Sequence, residues 1–337
     1  MTKRLLVFRV LTWACLIALP GGASAQVVEA VGSRALGMGG AFVAVASDSS
    51  AVWWNPGGLA AGPFVDVSVS QTVVERPDAV PGARDRVSGF ALATPAVGIS
   101  YYRLQLTDIR PGTPTATTGN DREDITADVS LRSLSIRQFG VTLVQTLLPG
   151  VHAGATLKYL RGSGGFGSGD GARTPRLLLD DGEGLERGAG EGHFDLDAGV
   201  LATAGVVRLG AVVRNLREPT FGGGEWQLPR QARVGAAVGL EDGGGPPLTI
   251  AVDADLLAYR SGTGDRRVLA LGAEQWVMNR RLGLRAGARF NRVGARERAV
   301  TGGASVAVRS GLYLEAHIVR GGSPDERGWG AGARVTF

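Results

Sequence analysis

The sequence holds a single cysteine, Cys15, and it falls within the first 25 residues. Once that segment is removed, no thiol is left, which excludes a disulfide framework and thiol chemistry. Cys15 is also badly placed for lipid attachment, because Leu16-Ile17-Ala18-Leu19 continues the apolar run beyond it. After Gln26 no apolar stretch reaches the roughly 20 residues that a membrane-spanning helix needs. Histidine is scarce: His152, His193 and His317 stand far apart, with no metal-ligand spacing to Asp or Glu. No G-x-S-x-G elbow and no Ser, His and acid set stands out, so the expectation is no catalytic residue, no metal and no cofactor.

An excess of one charge is missing as well. Of the 36 Lys and Arg residues, Lys3, Arg4 and Arg9 lie at the front end, leaving 33 against 31 acids. These charges are interspersed, so there is no basic stripe to track a phosphate backbone, and nucleic acid is excluded as a partner.

What is present begins with an export signal. Lys3, Arg4 and Arg9 precede an apolar run at 10–20, and Ala23-Ser24-Ala25 gives the small-x-small pattern read by a signal peptidase. Cleavage is expected before Gln26, so residues 1–25 are a signal peptide. Beyond residue 62 the pattern is alternation with period two, in segments of roughly 9–11 residues, the length of a tilted membrane strand. Residues 281–290 set Leu282, Leu284, Ala286, Ala288 and Phe290 on one face, against Arg281, Arg285 and Arg289 on the other. Residues 193–202, 206–215 and 248–256 repeat this two-faced pattern.

The alternation predicts about fourteen strands, beginning near Pro63, Arg86, Ala96, Val129, Val151, Gly192, Val206, Gln231, Leu248, Arg267, Arg281, Ala299, Leu312 and Gly328. In residues 129–147 the apolar phase changes midway, which suggests a bulge or kink. Short turns, such as Leu148-Pro149-Gly150 and Met278-Asn279-Arg280, alternate with longer polar links at 107–128, 162–191, 217–229, 260–266 and 321–327. An even strand number with this alternation of turn length is the signature of an all-β, antiparallel transmembrane barrel in an outer membrane. The chain ends Arg334-Val335-Thr336-Phe337, an alternation closing on an aromatic, like the terminal strand presented to a barrel assembly machinery. A soluble sandwich also buries one face of each strand, but it leaves the charged second faces unexplained. A closed barrel wets one face with lipid and encloses the other, leaving no backbone group unpaired in hydrocarbon.

Residues 26–62 are different: Gly- and Ala-rich, moderately apolar and not alternating. Glycines let backbone approach backbone, and Asn55-Pro56 marks a fixed turn, so a closely packed insert is expected. Residues 34–48, R-A-L-G-M-G-G-A-F-V-A-V-A-S-D, and 51–60, A-V-W-W-N-P-G-G-L-A, resemble the N-terminal hatch of the FadL-like outer-membrane barrels. L-P-R-Q-A-R-V-G-A-A at 228–237, L-G-A-E at 271–274 and L-G-L-R-A-G at 282–287 are similar too. The chain without its signal, about 310 residues, looks most like the PorV/PorQ branch. The resemblance implies a fourteen-stranded barrel, residues 63–337, with residues 26–62 folded inside as a plug. It also implies either sideways release of hydrophobic ligands through a gap in the wall, or a shuttle and anchor role for the cargo of a type IX secretion system. The transporter branch has Asn-Pro-Ala where this chain has Asn55-Pro56-Gly57, which reads as a mild change between small residues.

Candidate plug and ligand-lining residues are Gly37, Met38, Gly39, Gly40, Phe42, Trp53, Trp54, Asn55 and Pro56. Trp53 and Trp54 either pack the plug against the wall or line an apolar pocket. A lumen charge ladder is expected from Arg208, Arg233, Arg281, Arg285, Arg289 and Arg334 paired with Asp195, Asp197, Asp253, Asp255, Glu274 and Glu315, and it argues against a wide open pore. Gly162-Ser163-Gly164-Gly165-Phe166-Gly167 matches G-x-G-x-x-G and follows a strand, but no helical pattern follows it, so a flexible outer loop is expected rather than a nucleotide site. Asp180, Asp181, Glu183, Glu186 and Glu191 read as a solvated acidic loop with calcium as the sharper alternative, and Arg173, Arg176 and Arg187 as contacts for lipopolysaccharide phosphates. The favoured function is passage of small hydrophobic molecules through a plugged lumen. The alternatives are secretion-cargo docking and a purely structural outer-membrane protein. Expected partners are outer-membrane lipids and lipopolysaccharide, the assembly machinery, and a hydrophobic ligand or secreted cargo.

Overall fold

The computed structural model describes residues 24–25, 30–78, 80–112, 128–240, 247–261, 264–322 and 326–337. The proposed signal up to Ala23 lies outside them, as does most of the link between residues 112 and 128. Ser24–Ala25 pairs in parallel with Trp226–Gln227.

The period-two segments become fourteen antiparallel strands that close on themselves. They are β1 Asp66–Arg76, β2 Gly82–Ala93, β3 Val97–Pro111, β4 Val129–Leu148 and β5 Val151–Gly169. Then come β6 Glu191–Ala204, β7 Val207–Arg214, β8 Gln231–Leu240, β9 Leu248–Asp255 and β10 Val268–Val277. The circuit ends with β11 Leu282–Asn291, β12 Arg298–Arg309, β13 Leu312–Gly321 and β14 Arg327–Thr336. Strand β14 pairs with β1 from Arg327↔Glu75 to Thr336↔Asp66, so the wall has no free edge. The largest discrepancy with the expected starts is at β2, expected near Arg86 and found at Gly82.

The wall faces two environments. Val69, Ile99, Phe139, Leu157, Leu196, Leu209, Ile250, Leu284, Leu314 and Ile318 point outward and are exposed. Charged and small residues alternate with them and point in. The short turns gather at one end, where Gly150, Gly205 and Gly311 adopt positive φ, as do Met278, Asn279 and Arg280.

The expected midway bulge in β4 is absent. Its pairing with β3 is continuous from Val129 to Leu143, and its register with β5 shifts only between Thr146 and Leu148. The alternation never changes phase; the surroundings do. Near the short turns Phe139 and Leu143 face outward. Higher up, the inward residues Leu134 and Ile136 are buried in the lumen, while Leu131, on the outer face, lies under a helix.

That helix corrects the reading of 162–191 as a polar link, and of the motif at its start as a flexible loop. Strand β5 continues through the whole glycine-rich motif to Gly169, and Pro175–Glu183 is a helix, here called α3. Leu178 and Leu179 of α3 bury against Ile109, Val129 and Leu131 on the outside of the tall strands β3 and β4. The acids are engaged rather than simply solvated: Asp180 and Glu183 pair with Arg84, and Glu183 with Arg86. Among the described residues no group of three or more His, Cys, Asp or Glu is placed to hold a metal.

Candidate functional site

Residues 30–62 fill the lumen near the short-turn end. They contain two short helices, α1 Ser33–Gly37 and α2 Ala51–Trp54, followed by a 3-10 turn at Pro56–Ala61. Gly37, Met38, Gly39, Gly40, Phe42, Trp53, Trp54, Asn55 and Pro56 are all buried. The segment is clamped by hydrogen bonds from several directions. Asp253 of β9 accepts both Phe42 N–H (2.7 Å) and Val43 N–H (2.8 Å) through one oxygen. Asn55 donates to Val43 O (2.8 Å) within the plug and to Val200 O (3.0 Å) on β6. Its side-chain oxygen also accepts Gly57 N–H, capping the 3-10 turn. Thr301 of β12 donates to Gly37 O (3.0 Å).

Glycine on both surfaces lets these backbones meet. A methyl group added at Gly154 of β5 would stand 2.5 Å from the carbonyl carbon of Pro56, and one at Gly210 of β7 would stand 2.5 Å from Val43 O. Gly199, Gly272 and Gly287 are blocked in the same way by Asn55, Met38 and Gly39. Gly57 is therefore not a neutral substitute for alanine, as the sequence suggested: its added methyl would lie 2.8 Å from His152 O and 3.0 Å from Gly199 O.

The two indoles pack; they do not wall a cavity. Trp53 lies edge-on to Tyr102 at 5.2 Å, with the Arg214 guanidinium 4.1 Å from its ring centroid. Trp54 donates to Val31 O at 2.9 Å and meets Phe42 edge-on at 6.1 Å. Two interior cavities beside the plug measure about 20 Å³ each, lined by groups such as Arg34, Asp48 and Tyr102 in one and Arg76, Asp85 and Glu326 in the other. Each is room for about one water molecule.

Three of the six expected lumen arginines pair with acids of the expected set. Arg233 meets Asp255 at 2.6 Å, Arg285 meets Glu274 at 2.7 Å, and Arg334 meets Glu315 at 3.2 Å. Arg289 pairs with Glu326. Arg208 faces inward but forms no ion pair among the described residues, and Arg281 sits exposed on the turn before β11, where strand alternation has stopped. Asp253 is held by plug amides instead of a lumen arginine. Two cations were not anticipated. Lys158 is buried between Asp195 (2.8 Å) and Asp197 (2.7 Å) and donates to Asn215 Oδ1 at 2.8 Å. Arg34 of α1 joins Glu274 of the wall (2.6 Å) to Asp48 of the plug (3.2 Å). Burial pushes the Asp48 carboxyl up, but Arg34 and Arg334 outweigh it and hold it below the ordinary carboxylate value. Lys158 meets its acids across the β5–β6 ladder, whereas Arg34 and Glu274, 240 residues apart, meet only because the plug enters the barrel.

Above the plug the inner face of β3 to β5 becomes apolar, while charges such as Arg76, Arg289 and Glu326 are buried elsewhere in the interior. Leu104 and Leu106 of β3, Leu134 and Ile136 of β4, and Leu160 of β5 point inward and are buried, in one continuous cluster with the plug. Across this face lies the link after β7. Its Thr220–Phe221 and Trp226–Gln227 pair as a small hairpin, with Phe221 and Trp226 fully buried. The glycine-rich motif forms their seat. A methyl at Gly162 would stand 2.5 Å from the Phe221 ring, and one at Gly164 would stand 3.1 Å from the Trp226 indole nitrogen. Arg132 latches this cap, stacking 4.5 Å over Trp226 and donating to Glu225 O at 2.9 Å. The link read as merely polar is thus an aromatic lid, and the motif read as a loop is the strand surface beneath it.

The lateral wall shows a related departure. The ladders on either side of β3 are unbroken from Gly82↔Ile109 to Ala93↔Gly98 and from Val97↔Leu143 to Pro111↔Val129. The ladder between β9 and β10 is short, and equally short is that between β6 and β7, which pair only from Ala198↔Val213 to Ala204↔Val207. Beyond it, the side chains of Asp195 and Asp197 accept Arg217 N–H and Asn215 N–H, so the chain leaves β7 and turns into the lid.

No protein-family model matches this chain, and no curated protein is recognisably similar to it in sequence. Solved structures do match in fold. The CymD monoaromatic hydrocarbon channel aligns with a TM-score of 0.61 and 11% identity, over 93% of this chain and 99% of that one. The Ralstonia pickettii toluene transporter TbuX aligns at 0.60 and 14%, over 92% and 99%. A Pseudomonas aeruginosa FadL homologue aligns at 0.55 and 11%, over 93% and 100%. At these identities the likeness is one of fold: this chain is a closed fourteen-stranded antiparallel barrel built like those of FadL-type channels.

Proposed function

We propose that this protein sits in an outer membrane and passes small apolar molecules inward through the capped and plugged lumen. The observation that carries the reading is the apolar inner face of β3 to β5 beneath Phe221 and Trp226. Water-filled barrels have polar interiors; an apolar inner face on β3 to β5 under an aromatic lid instead offers a dry path along one side to a ligand without charge. The fold likeness to a toluene transporter and a monoaromatic hydrocarbon channel supports the same chemistry. The filled lumen is then the resting state: the lid must lift to admit a ligand and the plug must shift to release it. Secretion-cargo docking rested on short chain length. The channels named above are matched over nearly all of their own length, so length does not favour it.

The test is uptake of labelled toluene into liposomes carrying the purified barrel, with the Phe221→Ala, Trp226→Ala double variant alongside. Uptake above empty liposomes is expected, faster in the double variant because its lid no longer fills Gly162 and Gly164. If neither protein admits toluene, nor a longer-chain fatty acid, the transport reading is lost and a structural role takes its place.

A further inference from the structure

On the outside of the wall, adjoining the tall strands, three arginines stand in one row. Arg103 of β3 is registered directly against Arg137 of β4, and Arg137 directly against Arg161 of β5. All three are exposed on the outward face. None makes an ion pair or hydrogen bond with another described residue. Like charges placed opposite each other across strands destabilise a sheet, so the row is a cost to the barrel alone.

Its level in the membrane is fixed by what lies beside it. Two residues closer to the short-turn end, Phe90, Tyr101, Phe139, Tyr159 and Phe194 form a registered outward row across β2 to β6. One step further, Ile99, Val141, Leu157 and Leu196 form an aliphatic row. An aromatic row bordering an aliphatic band marks the boundary between hydrocarbon and headgroups. Two residues along a strand is about 7 Å, which puts the arginines among the headgroups on the long-link side, the outer leaflet. Ser88 and Gly192 flank the row, Gln105, Ser135 and Ser163 form the next level beside Arg86, and the acid over that level, Glu183, is already engaged by Arg84 and Arg86. The basic residues of the 162–191 segment are less available: Arg173 pairs with Asp181, Arg176 with Glu75, and Arg187 donates to Glu183 O.

We propose that Arg103, Arg137 and Arg161 bind the phosphate groups of a phosphorylated glycolipid of the outer leaflet, whose acyl chains lie over the aromatic and aliphatic rows below. Planar guanidiniums form paired, charge-assisted hydrogen bonds to phosphate oxygens. Three of them within two strand spacings, about 10 Å, match a headgroup bearing several anionic oxygens better than a single-phosphate lipid. The proposal rests on the barrel lying in an outer membrane and not on what it transports.

The test uses the full barrel in non-ionic detergent, with lipid A bisphosphate, the same lipid dephosphorylated, and phosphatidylglycerol as probes. Retention is read by native mass spectrometry, and stability by the midpoint of heat-modifiable gel mobility. Lipid A bisphosphate should be retained and should raise the midpoint, with Arg103→Gln, Arg137→Gln, Arg161→Gln weakening retention at least about tenfold. Without added lipid, the triple variant should melt no lower than the parent, since it removes only repulsion. The single Arg137→Gln variant gives the same direction should the triple variant not assemble. Equal retention by the variants overturns the proposal, as does equal retention of the dephosphorylated lipid or of phosphatidylglycerol by the parent.

Discussion

Replacing Asp253 by alanine should loosen the plug where it meets the wall. One oxygen of this carboxylate accepts both the Phe42 and Val43 amides, at 2.7 and 2.8 Å, in a buried site on β9. Alanine leaves both amides without an acceptor. Each buried, unpaired donor costs about 1–3 kcal/mol, and partial water entry into the vacated space lowers the sum, so about 3 kcal/mol is expected. That is a rise of roughly a hundredfold in the local opening equilibrium. Amide hydrogen exchange at Phe42 and Val43, resolved by peptide mass spectrometry, reads this directly. Asp253→Asn keeps an oxygen in the same place and should recover most of the protection. Unchanged exchange in the alanine variant would refute the clamp. An asparagine variant as exposed as the alanine one would show that net charge, and not the acceptor atom, holds the plug.

Two further outcomes follow from the same geometry. Gly57→Ala forces a methyl to within 2.8 Å of His152 O, a clash of the new side chain with a strand backbone costing about 1–3 kcal/mol. The variant should fold as a barrel with faster proteolysis of residues 30–62, measurable by limited trypsin digestion. Lys158→Met strands Asp195 and Asp197 as buried, uncompensated charges, which costs about 3–5 kcal/mol. Its heat-modifiable midpoint should fall, and adding Asp195→Asn with Asp197→Asn should restore much of it. No rescue by the triple variant would place the role of Lys158 elsewhere.

The wall was legible in the sequence because its physics is local. A strand with lipid on one side and an enclosed interior on the other writes its period into successive residues, and fourteen such segments can be counted without a structure. Reading fails where the surroundings change along one strand. In β4, Leu134 and Ile136 face the lumen while Phe139 and Leu143 face outward, so a constant geometry looked like a phase break. The plug was legible as a stretch of non-alternating glycine and alanine. Its partners were not: Asp253, Glu274 and Gly287 lie hundreds of residues downstream, and nothing in their neighbourhoods distinguishes a plug contact from a strand residue. Phe221 and Trp226 were hidden for a related reason. Their burial depends on Gly162 and Gly164 on another strand, and each half of that pairing looks like ordinary loop chemistry by itself.

The wall glycines opposed to residues 38–57 amount to a mould taken from the insert. A strand interior ordinarily disfavours glycine, so Gly154, Gly199, Gly210, Gly272 and Gly287 weaken their own ladders in exchange for accommodating a second surface. The vessel and its contents therefore share one set of sequence constraints: side chains that would strengthen an empty cylinder at those sites are the ones that would expel what it now encloses.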